Sequence, residues 1–253
     1  MKNIVINKIK QIYISKILYL MLFCEVAFLF IYTLVSNVVD VKEFLGLLKN
    51  DIFLWIIFMP GMIVIHKSSI FNTSYNVISR FKTKKDIMYC DYMTIAFSTL
   101  ICTIIVIVIP VILNSIFSFN SINIFTKPII FNVLFLIIRY YILSVLIQYL
   151  SYVIMFKFLI MQKYNNSICF IPIILFFILT FPLEYISTKS GYIPTLDFTA
   201  GKQYNFLTGY IVDWKDLLFS NIHILGYTIF FAWFSSDYLS KRLEFNENDD
   251  NNT

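Results

Sequence analysis

The stretch ILYLMLFCEVAFLFIYTLV, residues 17–35, decides what kind of protein this is. Its nineteen consecutive positions carry one charge, Glu25. At a helical rise of about 1.5 Å per residue, such a run crosses roughly 30 Å of hydrocarbon. A secretory signal also follows a Lys-containing N-terminus. This run, however, is too long, contains Glu25 and lacks a small-residue cleavage site, so it reads as a retained membrane span.

The rest of the chain repeats the pattern. A 59% hydrophobic content with only 14% charged residues excludes an ordinary soluble domain. Six candidate spans emerge, near 17–35, 52–66, 93–113, 129–150, 168–187 and 217–239. The expected fold class is therefore all-α, a polytopic membrane protein with six transmembrane helices in residues 1–242. The second span is short and contains Pro60 and Gly61, which predicts a kinked, tilted or broken helix.

Orientation follows from the basic residues, because Lys- and Arg-rich loops stay in the cytoplasm. With both ends inside, thirteen of the twenty Lys and Arg fall on the inner side and six on the outer side. The remaining one, Arg139, lies within the fourth span. This bias predicts an N-in, C-in protein of the cell membrane. Residues 1–16 place Val5, Ile9 and Ile12 at helical spacing with Lys8, Gln11 and Ser15 interleaved, an amphipathic helix suited to the inner interface. Residues 243–253 are acidic and polar and are expected to be disordered. Cys24, Cys90, Cys102 and Cys169 lie far apart without metal-type spacing and read as buried small apolar residues.

One local cluster breaks the apolar monotony. The segment SYNVISRFKTKKDIMYCDY, residues 74–92, gathers four Lys and Arg between Arg80 and Lys85. It lies in the longest inner loop, 67–92, where Val77, Ile78 and Phe81 share one helical face. Such a helix suits an anchor on anionic membrane lipid, a docking element for a cytosolic protein or a nucleic-acid patch. No recognisable nucleic-acid module surrounds it, which argues against the last.

With its basic interfacial helix, six spans, basic first inner loop and long outer segment, the layout resembles the permease subunit of a type 2 ABC exporter. The ISRFKTKKDIMYCDY stretch is similar to the pattern in small bacterial members. The resemblance implies a coupling helix in the first inner loop that docks into a separate ATP-binding subunit. Ser79, Arg80 and Phe81 would then dock, flanked by Lys82, Lys84 and Lys85. It also implies a second permease subunit, identical or different, with the first and fifth spans as candidates for the paired face. Small permeases of this kind export bacteriocins or other antimicrobial peptides or confer self-immunity. The chain has no Gly-rich phosphate loop ending in Lys and Ser or Thr, so an ATPase must be supplied in trans. A different class of reading is a membrane immunity or sensor protein that binds a peptide toxin without transporting it.

The outer segment, 188–216, is rich in aromatic residues that favour the membrane interface. The resemblance makes Tyr204, Phe206, Tyr210 and Trp214 an outer gate. No catalytic motif is visible. His66 and His223 lie outside any His-Glu-x-x-His pattern, and no Gly-x-Ser-x-Gly elbow, metal motif or cofactor motif appears. Along the fourth span Ser144, Gln148 and Ser151 share a face, a polar seam, while Arg139 points roughly the opposite way.

Glu25 lies roughly 12 Å from the inner end of its span and Arg139 roughly 15 Å from the outer end of its own, so their depths nearly coincide. A charge at that depth costs about 2.5–3.5 kcal/mol on insertion scales, which predicts a Glu25–Arg139 ion pair. Arg139→Glu alone is expected to lower folded membrane yield, and adding Glu25→Arg to restore it. Yield of monodisperse protein in mild detergent checks this, and a swap without rescue rejects the pair.

Overall fold

The structure, a computed structural model, describes residues 2–14, 16–35, 53–70, 83–117, 127–159, 166–189 and 214–249. These residues form helices, with no strand among them. In chain order they are α1 (Lys2–Ile14), α2 (Lys16–Val35), a π-helical turn (Phe53–Phe58) running into α3 (Met59–Ile70), α4 (Lys84–Phe117), α5 (Lys127–Leu159), a 3-10 turn (Asn166–Phe170) leading into α6 (Ile171–Lys189), and α7 (Trp214–Asp249).

Two of these helices are long and apolar enough to cross a membrane: Lys85–Ile112 within α4 and Ile130–Ile154 within α5. A third crossing results if α1 and α2 count as one span bent by 51° between Tyr13 and Leu18. Phe53–His66 and Ile168–Leu183 are shorter apolar helices. Helix α7 is continuous, but Asn221, His223, Ser235, Ser236 and its charged C-terminal end from Lys241 to Asp249 keep its hydropathy below that of α4 and α5. The all-helical class expected from the sequence thus holds among the described residues, with two clear spans rather than six.

The long helices also shift the expected boundaries. α4 begins nine residues before the expected third span, at Lys84 rather than 93. Its start is set by Thr83 and Asp86. The Asp86 N–H donates to Thr83 Oγ1 at 3.2 Å, and the Thr83 N–H donates back to Asp86 Oδ2 at 3.2 Å. This reciprocal capping box satisfies two of the N–H groups that every helix start leaves open. It also places a carboxylate in the first turn beside Lys84 and Lys85, where the positive end of the helix dipole disfavours cations. The expected loop 67–92 is accordingly shortened, since α3 runs to Ile70 and α4 takes everything from Lys84 onward. At the other end of the chain α7 continues to Asp249, so residues 243–249 of the expected disordered tail are helical. Extending an existing helix adds one hydrogen bond per residue and needs no new nucleus, which composition alone does not register.

The second apolar segment is irregular, as Pro60 and Gly61 suggested. Pro60 has no N–H to give to Ile56, and its ring crowds that carbonyl, so the preceding turn widens to π-helix instead of continuing as α-helix. The wider turn buries four of its six side chains, Phe53, Leu54, Trp55 and Phe58. Tyr140 of α5 meets Phe58 at a ring distance of 5.1 Å and Phe53 at 6.1 Å, and Trp55 stacks on Phe176 of α6 at 6.2 Å. This turn is therefore the centre of the larger apolar core, which draws on α1 to α7. A smaller core of Met88, Tyr92, Ile95, Val145, Tyr149 and Tyr152 joins α4 to α5 near the start of α4, with Ala232 of α7 against it.

Four threonine hydroxyls inside the helices are satisfied locally. Thr94 donates to the Cys90 carbonyl at 2.8 Å, Thr103 to Thr99 at 2.7 Å, Thr180 to Phe176 at 2.7 Å and Thr228 to Ile224 at 2.8 Å. Each returns one turn along its own helix, so the side chain enters hydrocarbon without an open donor.

Thr83→Ala is expected to cost α4 about 1 kcal/mol at its first turn, the usual effect of losing a cap. Faster amide hydrogen exchange confined to residues 84–88, with folded yield unchanged, is the expected result.

Candidate functional site

A carboxylate in the second turn of α4 organises the site. Asp91 is 3% exposed and lies inside the span Lys85–Ile112. Lys8 of α1, itself 5% exposed, gives its ammonium to Asp91 Oδ1. The Tyr152 hydroxyl of α5 donates to Asp91 Oδ2 at 2.9 Å. Three helices therefore meet on one carboxylate, which accepts charge-assisted bonds on both oxygens. Lys8 reaches it because the buried face of α1 is made by Lys8 and Ile12, one turn apart. The amphipathic reading of residues 1–16 had set Lys8 among the polar residues between the apolar ones. α1 is packed against α3 and α4 instead of lying only on a lipid surface.

Tyr92, next to Asp91, faces the neighbouring seam. Its hydroxyl bonds Ser235 of α7 at 2.6 Å, and its carbonyl accepts the Tyr149 hydroxyl at 3.2 Å. The Tyr92 ring packs on Tyr149 at 4.5 Å and edge-on to Tyr152 at 5.4 Å. Adjacent residues of one helix thus tie α4 to α1 and α5 through Asp91, and to α5 and α7 through Tyr92.

One to two turns further along α4 lies a second polar layer. His66 of α3 directs Nδ1 to the Met62 carbonyl at 2.9 Å and Nε2 to the Ser98 hydroxyl. A carbonyl only accepts, so Nδ1 carries the hydrogen, and in the neutral ring Nε2 accepts from Ser98. From the same position the Ser98 hydroxyl hydrogen can turn instead to the Thr94 carbonyl at 2.6 Å. A Ser–His pair also suggests nucleophilic chemistry. Ser98, however, is in the interior of α4, where the backbone N–H groups are spent within the helix and cannot hold an oxyanion. The pair is better suited to linking α3 with α4.

The expected polar seam on α5 is partly assembled. Gln148 donates to Ser144 Oγ at 2.6 Å and to Thr99 Oγ1 of α4 at 3.1 Å. Gln148 Oε1 is buried and has no hydrogen bond among the described residues. Ser151 shares the face but turns its hydroxyl to the Ile147 carbonyl at 2.9 Å. Ser144 and Gln148 thus act together across the α4–α5 contact, and Ser151 satisfies itself.

The other residues singled out from the sequence are distributed as follows. Arg139 is fully buried on α5, with its guanidinium 6.0 Å from the Phe135 ring centre. Glu25 is in α2, but its side chain lies outside the described residues, and so does the expected ion pair with Arg139. Ser79, Arg80, Phe81 and Lys82 lie outside the described residues. Lys84 is the first residue of α4, its side chain likewise undescribed, and Lys85 is exposed with its ammonium 5.8 Å from the Tyr89 ring centre. Tyr204, Phe206 and Tyr210 lie outside the described residues, and Trp214 opens α7 with its side chain undescribed. No group of three or more His, Cys, Asp or Glu that could hold a metal occurs among the described residues.

Sequence reasoning missed Lys8, Asp91, Tyr152 and the His66–Ser98 pair. One signal was available: the Thr83-Lys-Lys-Asp86 pattern is a helix-start signature, and it moves Asp91 from loop to helix interior. Nothing in the sequence joins Asp91 to Lys8, 83 positions away.

Compared with known protein families, curated proteins and solved structures, the chain matches none.

Lys8→Met is expected to destabilise the bundle by about 3–5 kcal/mol, because it leaves a buried carboxylate without its countercharge. The double variant Lys8→Met with Asp91→Leu is expected to recover most of that loss. Melting of the detergent-solubilised protein, followed by size-exclusion chromatography after heating, checks both. An unchanged melting temperature for Lys8→Met alone contradicts the role given to the pair.

Proposed function

We propose that this chain is the membrane-spanning subunit of an ATP-driven exporter of the type 2 ABC class, powered by a separate ATP-binding subunit. The observation that carries the reading is the construction of α4. This helix emerges directly from the basic segment at Lys84, is capped there by Thr83 and Asp86, and runs unbroken to Phe117. Along the way it carries Asp91, Tyr92, Ser98 and Thr99, the residues that link it to α1, α3, α5 and α7. A partner pressing on residues 79–85 would therefore act on one helix whose polar links all sit on the bundle side, ahead of Pro110.

On this reading the bundle crosses the bacterial plasma membrane six times with both ends inside. α2, the π-turn with α3, α6 and α7 join α4 and α5 as crossings. Both ends inside follows the inward bias of Lys and Arg. The chain hydrolyses no ATP itself, works beside a second permease subunit and moves a peptide or amphipathic antimicrobial compound. The Ser144–Gln148–Thr99 seam supplies polar groups between α4 and α5, where relative helix motion would expose them. Tyr204, Phe206, Tyr210 and Trp214 are assigned to the outer gate by the resemblance to that exporter class.

The test is affinity purification of the tagged chain from its native membrane in mild detergent, comparing wild type with Arg80→Glu and Phe81→Ala. The expected outcome is a stoichiometric ATP-binding protein with wild type that is lost with either variant. A folded, monodisperse wild-type chain with no ATP-binding partner overturns the exporter reading and favours a toxin-binding immunity protein.

A further inference from the structure

Between α4, α5 and α7 the bundle leaves a cavity of about 390 Å³. Its volume lies within the range of about 300–1,000 Å³ that small-molecule sites occupy. The floor is buried: Tyr92, Val145 and Tyr149 are each less than one-tenth exposed. The rim is open, with Met93, Ile229 and Trp233 more than half exposed. The α4 and α5 walls, from Tyr89 to Met93 and from Tyr141 to Tyr149, lie inside the two clear membrane spans. The cavity therefore opens toward lipid.

Its chemistry narrows what can enter. The polar side-chain atoms of the buried floor are already engaged: the Tyr92 hydroxyl with Ser235, the Tyr149 hydroxyl with the Tyr92 carbonyl, and the Thr228 hydroxyl with the Ile224 carbonyl. On that floor a polar group gains little, whereas an aliphatic chain meets aromatic and branched side chains on several sides. One end differs. Tyr89 is both a wall of the cavity and the ring over which the Lys85 ammonium stands, 5.8 Å from its centre. Lys85 is the first residue of the span, at the level where lipid headgroups begin. Among the described residues no carboxylate forms an ion pair with it: Asp86 accepts from the Thr83 N–H, and Asp91 is paired with Lys8.

We propose that this cavity is a binding site for an anionic phospholipid, with one acyl chain lying between Tyr92, Tyr149 and Trp233 and the phosphate at Lys85. Apolar walls and a cation at the membrane boundary match the two halves of such a lipid. The site depends on the chain being embedded in a membrane and not on the exporter reading, so either can fail without the other.

The test uses the full chain carrying Trp55→Phe and Trp214→Phe, so that Trp233 is the single tryptophan, reconstituted in phosphatidylcholine vesicles. Trace phosphatidylglycerol or phosphatidylcholine brominated on the acyl chain is added, and quenching of Trp233 is read against lipid fraction. The expected result is half-maximal quenching at about fivefold lower fraction for the anionic lipid, the preference that one basic residue at the surface provides. Lys85→Gln should bring the two lipids to parity while Lys85→Arg keeps the preference. Ala232→Phe, which fills the cavity, should reduce quenching by both. Equal quenching by the two lipids in the parent protein overturns the proposal without relying on any cavity substitution. A preference that survives both Lys85→Gln and Ala232→Phe overturns it as well, as does cysteine crosslinking of Met93→Cys between two copies, which gives the groove to a second chain.

Discussion

An aspartate cannot stand alone inside an apolar helix bundle, and the arrangement of this protein follows from how Asp91 is accommodated. Desolvating a carboxylate costs several kcal/mol unless a countercharge and hydrogen bonds replace the lost water. Lys8 and Tyr152 supply both, one from the N-terminal helix and one from α5. Because these partners are far apart in sequence, the requirement acts on tertiary structure: α1 must pack against α4, and α4 must keep Asp91 turned toward α5. The bend of 51° between α1 and α2 lets the two helices take different directions, α1 against α4.

The second apolar segment answers a different constraint. A proline inside a short apolar helix removes one backbone donor and crowds one carbonyl, and no water is available to repair either. Widening the preceding turn solves the local problem and turns Phe53, Leu54, Trp55 and Phe58 into the bundle together. A helix with a single buried stripe would place fewer large side chains there. The irregular turn thereby becomes the packing centre onto which Tyr140 and Phe176 close. Above and below it, hydroxyls bonded to their own helices keep the long spans compatible with hydrocarbon.

How much of this was legible depends on the range of the interaction. The helical class, the long apolar runs and the irregularity at Pro60 are local or compositional, and they read directly from the chain. The face shared by Ser144 and Gln148 was also readable, since residues four apart on a helix meet. The start of α4 was misplaced because hydropathy counts Lys84, Lys85 and Asp86 as loop, whereas Thr83 and Asp86 together form a helix cap. Lys8 was assigned to a polar face because amphipathicity sorts charges outward, and a lysine buried against a carboxylate breaks that rule.

The sequence by itself determined that this chain is helical with runs apolar enough to cross a membrane, where its charge bias lies and where its second apolar segment breaks. Those properties depend on transfer free energy, backbone donors and spacing within one element. Tertiary structure alone decided which polar groups meet: Lys8 with Asp91, His66 with Ser98, Tyr92 with Ser235, Gln148 with Thr99. In a bundle whose surfaces are nearly all apolar, hydrophobic burial scarcely distinguishes one helix pairing from another. The directional bonds of a few buried polar side chains make that choice, and their partners exist only once the helices are packed.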